Sequence, residues 1–182
     1  MRWEVSVDAA KINGAMVMQS LRGAFAPVPT ALDRGLDFDP GAVSDHIQWL
    51  ADSGLDGALV LGTNGEFPSF SLDERRRVAE SAVAARDHLQ LMLGVGACAL
   101  PEVCELLRVA AGSGYGSVLC PPPFYFRAAP TEGLADFFCR VLDEARVPVL
   151  LYHIPQVTGI AISDRLLDLI GDHDNLAGVK DS

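Results

Sequence analysis

From residue 21 onward the chain alternates short, uninterrupted apolar runs with amphipathic stretches. One pair recurs about every 30 residues, the length of a strand–helix–strand unit. The apolar runs fall at 21–28, 57–61, 89–95, 117–120, 147–152 and 177–180. Each is apolar throughout instead of at every second position, the texture of parallel strands covered on both faces. Start and stop signals mark helices between them. Asp39-Pro40 supplies an N-cap and first-turn proline, and residues 71–74 form a capping box. Pro101, Thr131 and Ser163 open three more, while Gly54 and then Gly112 or Gly114 close the first and third. Six strands and five helices in strict alternation predict an α/β domain over residues 21–182.

Two architectures use this pattern, an open doubly wound sheet and an eight-stranded barrel. The first strand-to-helix turn reads Ala26-Pro27-Val28-Pro29-Thr30, without the G-x-G-x-x-G of a dinucleotide site, and no Walker lysine follows a glycine-rich loop. The expectation is therefore a (β/α)8 TIM barrel with about six of its eight units present. Residues 1–20 read as an N-terminal extension without recognisable chemistry, or as an early start ahead of Met16 or Met18.

At 49% apolar and 21% charged residues, the chain can bury a substantial core. A net charge of −10 argues against non-specific binding to nucleic acid or acidic lipid, though it leaves room for a local anion site. No apolar run approaches the ~18 residues of a membrane span. Glu4, Asp8, Lys11 and Asn13 interrupt the N-terminus and argue against a secretory signal. Cys98, Cys104, Cys120 and Cys139 show neither CxxC pairing nor ligand spacing with histidine, so reduced thiols in a cytoplasmic protein are expected, with no metal centre.

A barrel presents its chemistry at the C-terminal ends of its strands. After the second run comes Gly62-Thr63-Asn64-Gly65-Glu66-Phe67-Pro68, which reads as an ordinary polar turn or as a cradle of amides and a hydroxyl for a carboxylate. The fifth run ends at Tyr152, a rim aromatic or a proton carrier. The sixth ends at Lys180, one of only two lysines in the chain, the other being Lys11. A lysine there either snorkels to solvent or is desolvated, loses its proton and becomes a nucleophile able to form a Schiff base with a ketone. An anion cradle, a proton carrier and an amine on one barrel rim favour catalysis.

Three motifs carry a resemblance: GTNGEFPSFSLDER at 62–75, YHIPQVTG at 152–159 and GVKDS at 178–182. In this order and spacing they are similar to those of the dihydrodipicolinate synthase and N-acetylneuraminate lyase family of class I aldolases. The resemblance runs from about residue 21 to residue 182 and implies a (β/α)8 barrel. It implies that Lys180 condenses with the ketone of pyruvate or another 2-oxo acid, and that Tyr152 moves protons. It also implies that Thr63 and Asn64, with Gly65 beside them, bind the substrate carboxylate, Thr63 sharing in the proton relay. The iminium then acts as electron sink when a 4-hydroxy-2-oxo acid is cleaved to pyruvate and an aldehyde, or formed from them. No cofactor is implied, and a homo-oligomer, dimer or tetramer, is the expected form. His153 follows Tyr152 directly, so strand alternation turns it from the lumen toward a structural role. Tyr125, in the segment 121–127, resembles a tyrosine that in some members reaches a neighbouring subunit's site; it reads equally as a rim aromatic at a subunit contact.

Two departures bear on substrate. Val157 stands where dihydrodipicolinate synthases usually carry an arginine that receives the second substrate's carboxylate, and valine offers no such donor. Asn64 in GTNGEFP resembles the 4-hydroxy-2-oxoglutarate and 2-oxo-3-deoxy sugar acid aldolases. The sequence also stops two residues after Lys180, at Ser182, which reads as truncation before the last two strands, with exposed sheet edges prone to aggregation. Alternatives to an aldolase are 4-hydroxy-tetrahydrodipicolinate synthase, which joins pyruvate to aspartate semialdehyde, a dehydratase of deoxy sugar acids, and a non-catalytic remnant.

Overall fold

The computed structural model describes residues 21–182, together with the strand backbones of Trp3–Glu4, Lys11–Ile12 and Ala15–Met16. The extension expected over residues 1–20 otherwise lies outside the described residues. Six strands form one parallel sheet: β1 (Phe25–Pro27), β2 (Gly57–Val60), β3 (Gln90–Gly94), β4 (Ser117–Cys120), β5 (Val149–His153) and β6 (Leu176–Asp181). Each strand pairs with its neighbours in chain order, β1 through β6. A doubly wound sheet reverses its order partway, whereas a barrel wall does not. The expected barrel architecture is thus present as an open six-stranded wall.

Five helices follow the strands: α1 (Pro40–Asp52), α2 (Leu72–Ala84), α3 (Leu100–Ser113), α4 (Thr131–Glu144) and α5 (Asp164–Ile170). Their starts are where the sequence signals put them. The Asp39 carboxylate accepts from the Ala42 amide at 3.0 Å, Ser71 and Glu74 close a capping box, and Ser163 accepts from the Leu166 amide at 3.2 Å. Gly114, at φ 82°, ends α3 in the left-handed conformation that glycine adopts without strain. None of the described helices is long and apolar enough to cross a membrane.

Strand alternation sorts the apolar runs into two cores. Ala58, Val60, Leu91, Leu93, Val118, Val149 and Leu151 face outward and pack with the helices. Leu59, Met92, Leu119, Leu150 and Tyr152 face inward and form a separate cluster with Leu21 and Ile154. Burial on both faces explains why these strands read as continuous apolar runs.

Beyond shifts of a residue at strand ends, the elements depart from expectation as follows. The first run breaks at Gly23, whose φ of 111° turns Arg22–Gly23 out of the sheet, and the Asp56 carboxylate holds the next amide, Ala24, at 2.7 Å. The fifth strand starts at Val149 because Pro148 has no N–H to donate, although its carbonyl still accepts from Val118 at 2.9 Å. Residues Pro155–Thr158 form a short helical turn, with Pro155 in its first turn, where no helix was expected. In addition, β6, expected to be buried, is half-buried along most of its length.

Candidate active site

The parallel register brings the end of β6 beside the end of β5, with Lys180 directly opposite Tyr152 and Asp181 opposite His153. The Lys180 side-chain nitrogen, Nζ, stands 4.1 Å from the centroid of the Tyr152 ring, within cation–π distance. Lys180 also donates to the Ser182 hydroxyl. Three strands away, the loop leaving β2 places the Thr63 hydroxyl 3.2 Å from the Tyr152 hydroxyl. Thr63, Tyr152 and Lys180 therefore form one chain of contacts across the inner face of the wall.

That face lines a cavity of about 800 Å³. Its floor is the inner apolar cluster, including Leu59, Met92 and Leu150, and its polar groups are those of Thr63, Asn64, Tyr152, Lys180, Asp181 and Ser182. An apolar chamber with a few convergent polar groups is the usual form of a small-molecule site. Lys180 is half-buried there, and Tyr152 is buried.

The loop between β2 and α2 is tightly built. Leu61 adopts φ 55° and swings the chain out of the strand, a conformation uncommon for a branched non-glycine residue. The Gly65 amide donates to the Gly62 carbonyl at 3.1 Å and the Glu66 amide to the Thr63 carbonyl at 3.1 Å. A Cβ on Gly65 would meet the Val28 carbonyl oxygen and the Leu61 Cα at 3.0 Å, a tight contact with backbone atoms that favours glycine here. Thr63 and Asn64 line the cavity; Gly65 lies behind them, buried, and its amide closes the turn.

Tyr125 is not gathered into this site within the chain. It is 76% exposed and stacks edge-on against Phe126 at 5.1 Å between centroids. His153 points to the helical side, as alternation predicts. Its Nδ1 accepts from the Ile162 amide at 3.0 Å, which leaves Nε2 to carry the proton, 3.9 Å from the Asp181 carboxylate. Among the described residues no group of three or more His, Cys, Asp or Glu side chains is placed to hold a metal ion.

Sequence reasoning passed over several residues that shape the site. Thr30, at the end of the first strand-to-helix turn, donates its hydroxyl to the Gly65 carbonyl at 2.8 Å. Its position after a strand end was a usable signal. Arg75 gave none: within Arg75-Arg76-Arg77 it resembles a solvated face, yet it is 4% exposed.

The sequence profile of the dihydrodipicolinate synthetase family matches residues 20–182. A 4-hydroxy-tetrahydrodipicolinate synthase of Hydrogenobaculum sp. is 36% identical over 165 residues, 89% of this chain and 56% of that protein. A probable 2-dehydro-3-deoxy-D-pentonate aldolase of Escherichia coli is 28% identical over 167 residues, 91% of this chain and 55% of its own length. Among solved structures, YagE, a prophage protein of the dihydrodipicolinic acid synthase family from E. coli K12 in complex with pyruvate, superposes with a TM-score of 0.82. It shares 28% identity, over 87% of this chain and 54% of that one. The chain spans about half the length of the curated relatives it matches.

Proposed function

Because the chain belongs to the dihydrodipicolinate synthetase family, we propose that it works as a class I aldolase or lyase, cleaving or forming a 4-hydroxy-2-oxo acid through a Schiff base on Lys180. The observation that carries this reading is the contact chain from Lys180 through Tyr152 to Thr63 along one cavity. An amine, a phenol and a hydroxyl in that order match the needs of imine chemistry. In the cleavage direction the Lys180 amine, in its neutral form, adds to the C2 ketone carbon of the 4-hydroxy-2-oxo acid, and loss of water leaves an iminium; in the reverse direction the ketone is that of pyruvate. Breaking the C3–C4 bond sends its electron pair into the iminium, giving an enamine and releasing an aldehyde. The C4 hydroxyl proton must leave in that step and a proton must reach C3 afterwards; Tyr152, relayed by Thr63, is the carrier. Hydrolysis of the new iminium returns the amine and pyruvate. Thr63 and Asn64 hold the carboxylate, with Gly65 shaping the turn that presents them.

Val157 favours an aldolase over 4-hydroxy-tetrahydrodipicolinate synthase. It is 55% exposed on the turn that leaves β5 and offers no cation to the second carboxylate of aspartate semialdehyde. The preferred substrates are therefore the 4-hydroxy-2-oxoglutarate or 2-oxo-3-deoxy sugar acid type, without a cofactor. The working form is a cytoplasmic homo-oligomer in which Tyr125 meets a second subunit. Borohydride reduction in the presence of pyruvate, followed by intact mass and peptide mapping, tests the reading. A reduced adduct on Lys180 is expected; folded protein without one would leave a non-catalytic remnant as the better description.

A further inference from the structure

We propose that Arg75 is a positioning residue for the Gly62–Phe67 loop, holding Thr63 and Asn64 against the substrate carboxylate; this rests on the role given to that loop above. Arg75 lies in the first turns of α2 and is 4% exposed. Its Nη2 donates to the Gly96 carbonyl at 2.7 Å, and its guanidinium carbon stands 5.3 Å from the centroid of Phe67. Among the described residues its buried Nε has no hydrogen-bond partner, and it makes no ion pair. Burial pushes its pKa down to about 10, only partly offset by Glu102.

Such a group is a poor choice for stability. A buried guanidinium with one carbonyl partner and an unsatisfied N–H is less favourable than a well-packed apolar side chain of similar size. Its placement is informative instead. Phe67 directly follows the Gly62–Glu66 turn, and Gly96 lies just beyond the end of β3. The Phe67 ring also meets Phe124, beyond β4, edge-on at 5.9 Å. A Cβ on Gly96 would come within 2.6 Å of Pro121 and 2.8 Å of Phe67, so these segments are in close contact. Arg75 thus ties together the segments that follow β2 and β3, and the segment after β4 packs against both through Phe124 and Pro121. Thr30 holds the same loop from the β1 side, through Gly65. The Glu66 amide bonds to the Thr63 carbonyl, so movement of Phe67 passes to Thr63.

The test compares the 182-residue chain with its Arg75→Met and Arg75→Lys variants. Amide exchange is followed by mass spectrometry, and Lys180 trapping is titrated with pyruvate and with methyl pyruvate, which lacks the anionic carboxylate. Arg75→Met is expected to stay folded and to exchange residues 62–67 about tenfold faster, with β3 and β4 unchanged. Its half-saturation for pyruvate should rise about tenfold while that for the ester stays the same, and Arg75→Lys should restore part of the loss. A purely structural role would instead shift both ketones alike. Equal shifts, or unaltered exchange at 62–67, overturn the proposal. If Arg75→Met does not fold, the same two readouts on Arg75→Lys decide. If the unmodified chain forms no adduct, the Schiff-base reading fails, and the exchange comparison alone judges the anchor.

Discussion

Lys180 and Tyr152 face each other across β5 and β6 as register partners, with the lysine nitrogen 4.1 Å from the tyrosine ring. Neighbouring strands of a parallel sheet lie about 4.8 Å apart, so this pairing sets the two side chains side by side on the inner face, within reach of each other. On the other side the Tyr152 hydroxyl reaches Thr63, whose loop departs from β2. The three groups are thus supplied by elements far apart in sequence and brought together by strand order.

Replacing Tyr152 with Phe keeps the ring that packs against Lys180 and removes the hydroxyl that meets Thr63. If that hydroxyl carries protons, the rate of pyruvate trapping at Lys180 should fall about 100-fold, within the range of a lost general acid–base. Far-UV circular dichroism should be unchanged. Stopped-time borohydride reduction followed by intact mass measures the rate, and an unchanged rate would remove Tyr152 from the proton path.

Much of this arrangement was legible in the sequence, for identifiable reasons. Strands such as Gly57–Val60 are covered on both faces, so they stand out as unbroken apolar runs. Ser71 and Glu74 make bonds within four residues, so their cap could be read locally. What escaped were features set by distant neighbours. The left-handed Leu61 is invisible because leucine carries no signal for positive φ. Arg75 is buried by Phe67 and by the loop beyond β3, which nothing in its own helix announces. The break at Gly23 depends on Asp56, far along the chain at the start of β2.

Introducing the missing cation tests the substrate assignment. Val157→Arg is expected to raise pyruvate-dependent consumption of aspartate semialdehyde by about tenfold or more, the effect of one charge-assisted carboxylate contact. Product formation followed by mass spectrometry is the readout. Efficient condensation by the unsubstituted chain would instead favour the synthase reading.

The cysteines should react in order of burial. Cys98 is exposed, Cys104 and Cys139 are half-buried, and Cys120 is enclosed in the outer core. Burial pushes the Cys120 thiol up to about 12, with Cys104 adding to the effect. The thiolate is the reactive form, so at about pH 8 Cys120 has almost none of it and little access besides. Iodoacetamide at that pH should label Cys98 first, and Cys120 only after unfolding in denaturant. Peptide mass mapping over time measures the order. Rapid labelling of Cys120 under native conditions would mean that the β4 face of the core opens readily.

Two glycine-to-alanine changes should move stability in opposite directions. Gly112 lies exposed in α3, and a methyl group added there would meet nothing within 4 Å, so alanine adds helix propensity without a clash. Gly112→Ala is expected to stabilise by about 0.5–1 kcal/mol. Gly94 ends β3 beneath the left-handed Leu61, and a Cβ there would sit 2.0 Å from the Leu61 carbonyl oxygen. Backbone atoms cannot yield as a side-chain tip can, so β2 and β3 must shift. Gly94→Ala should therefore destabilise by about 1–3 kcal/mol or more. Thr63 follows Leu61 by two residues, so the same change should also weaken pyruvate trapping. Urea denaturation of both variants measures the signs. A Gly94→Ala protein as stable as the unsubstituted chain would show that the Leu61 turn is more adaptable than its packing against β3 implies.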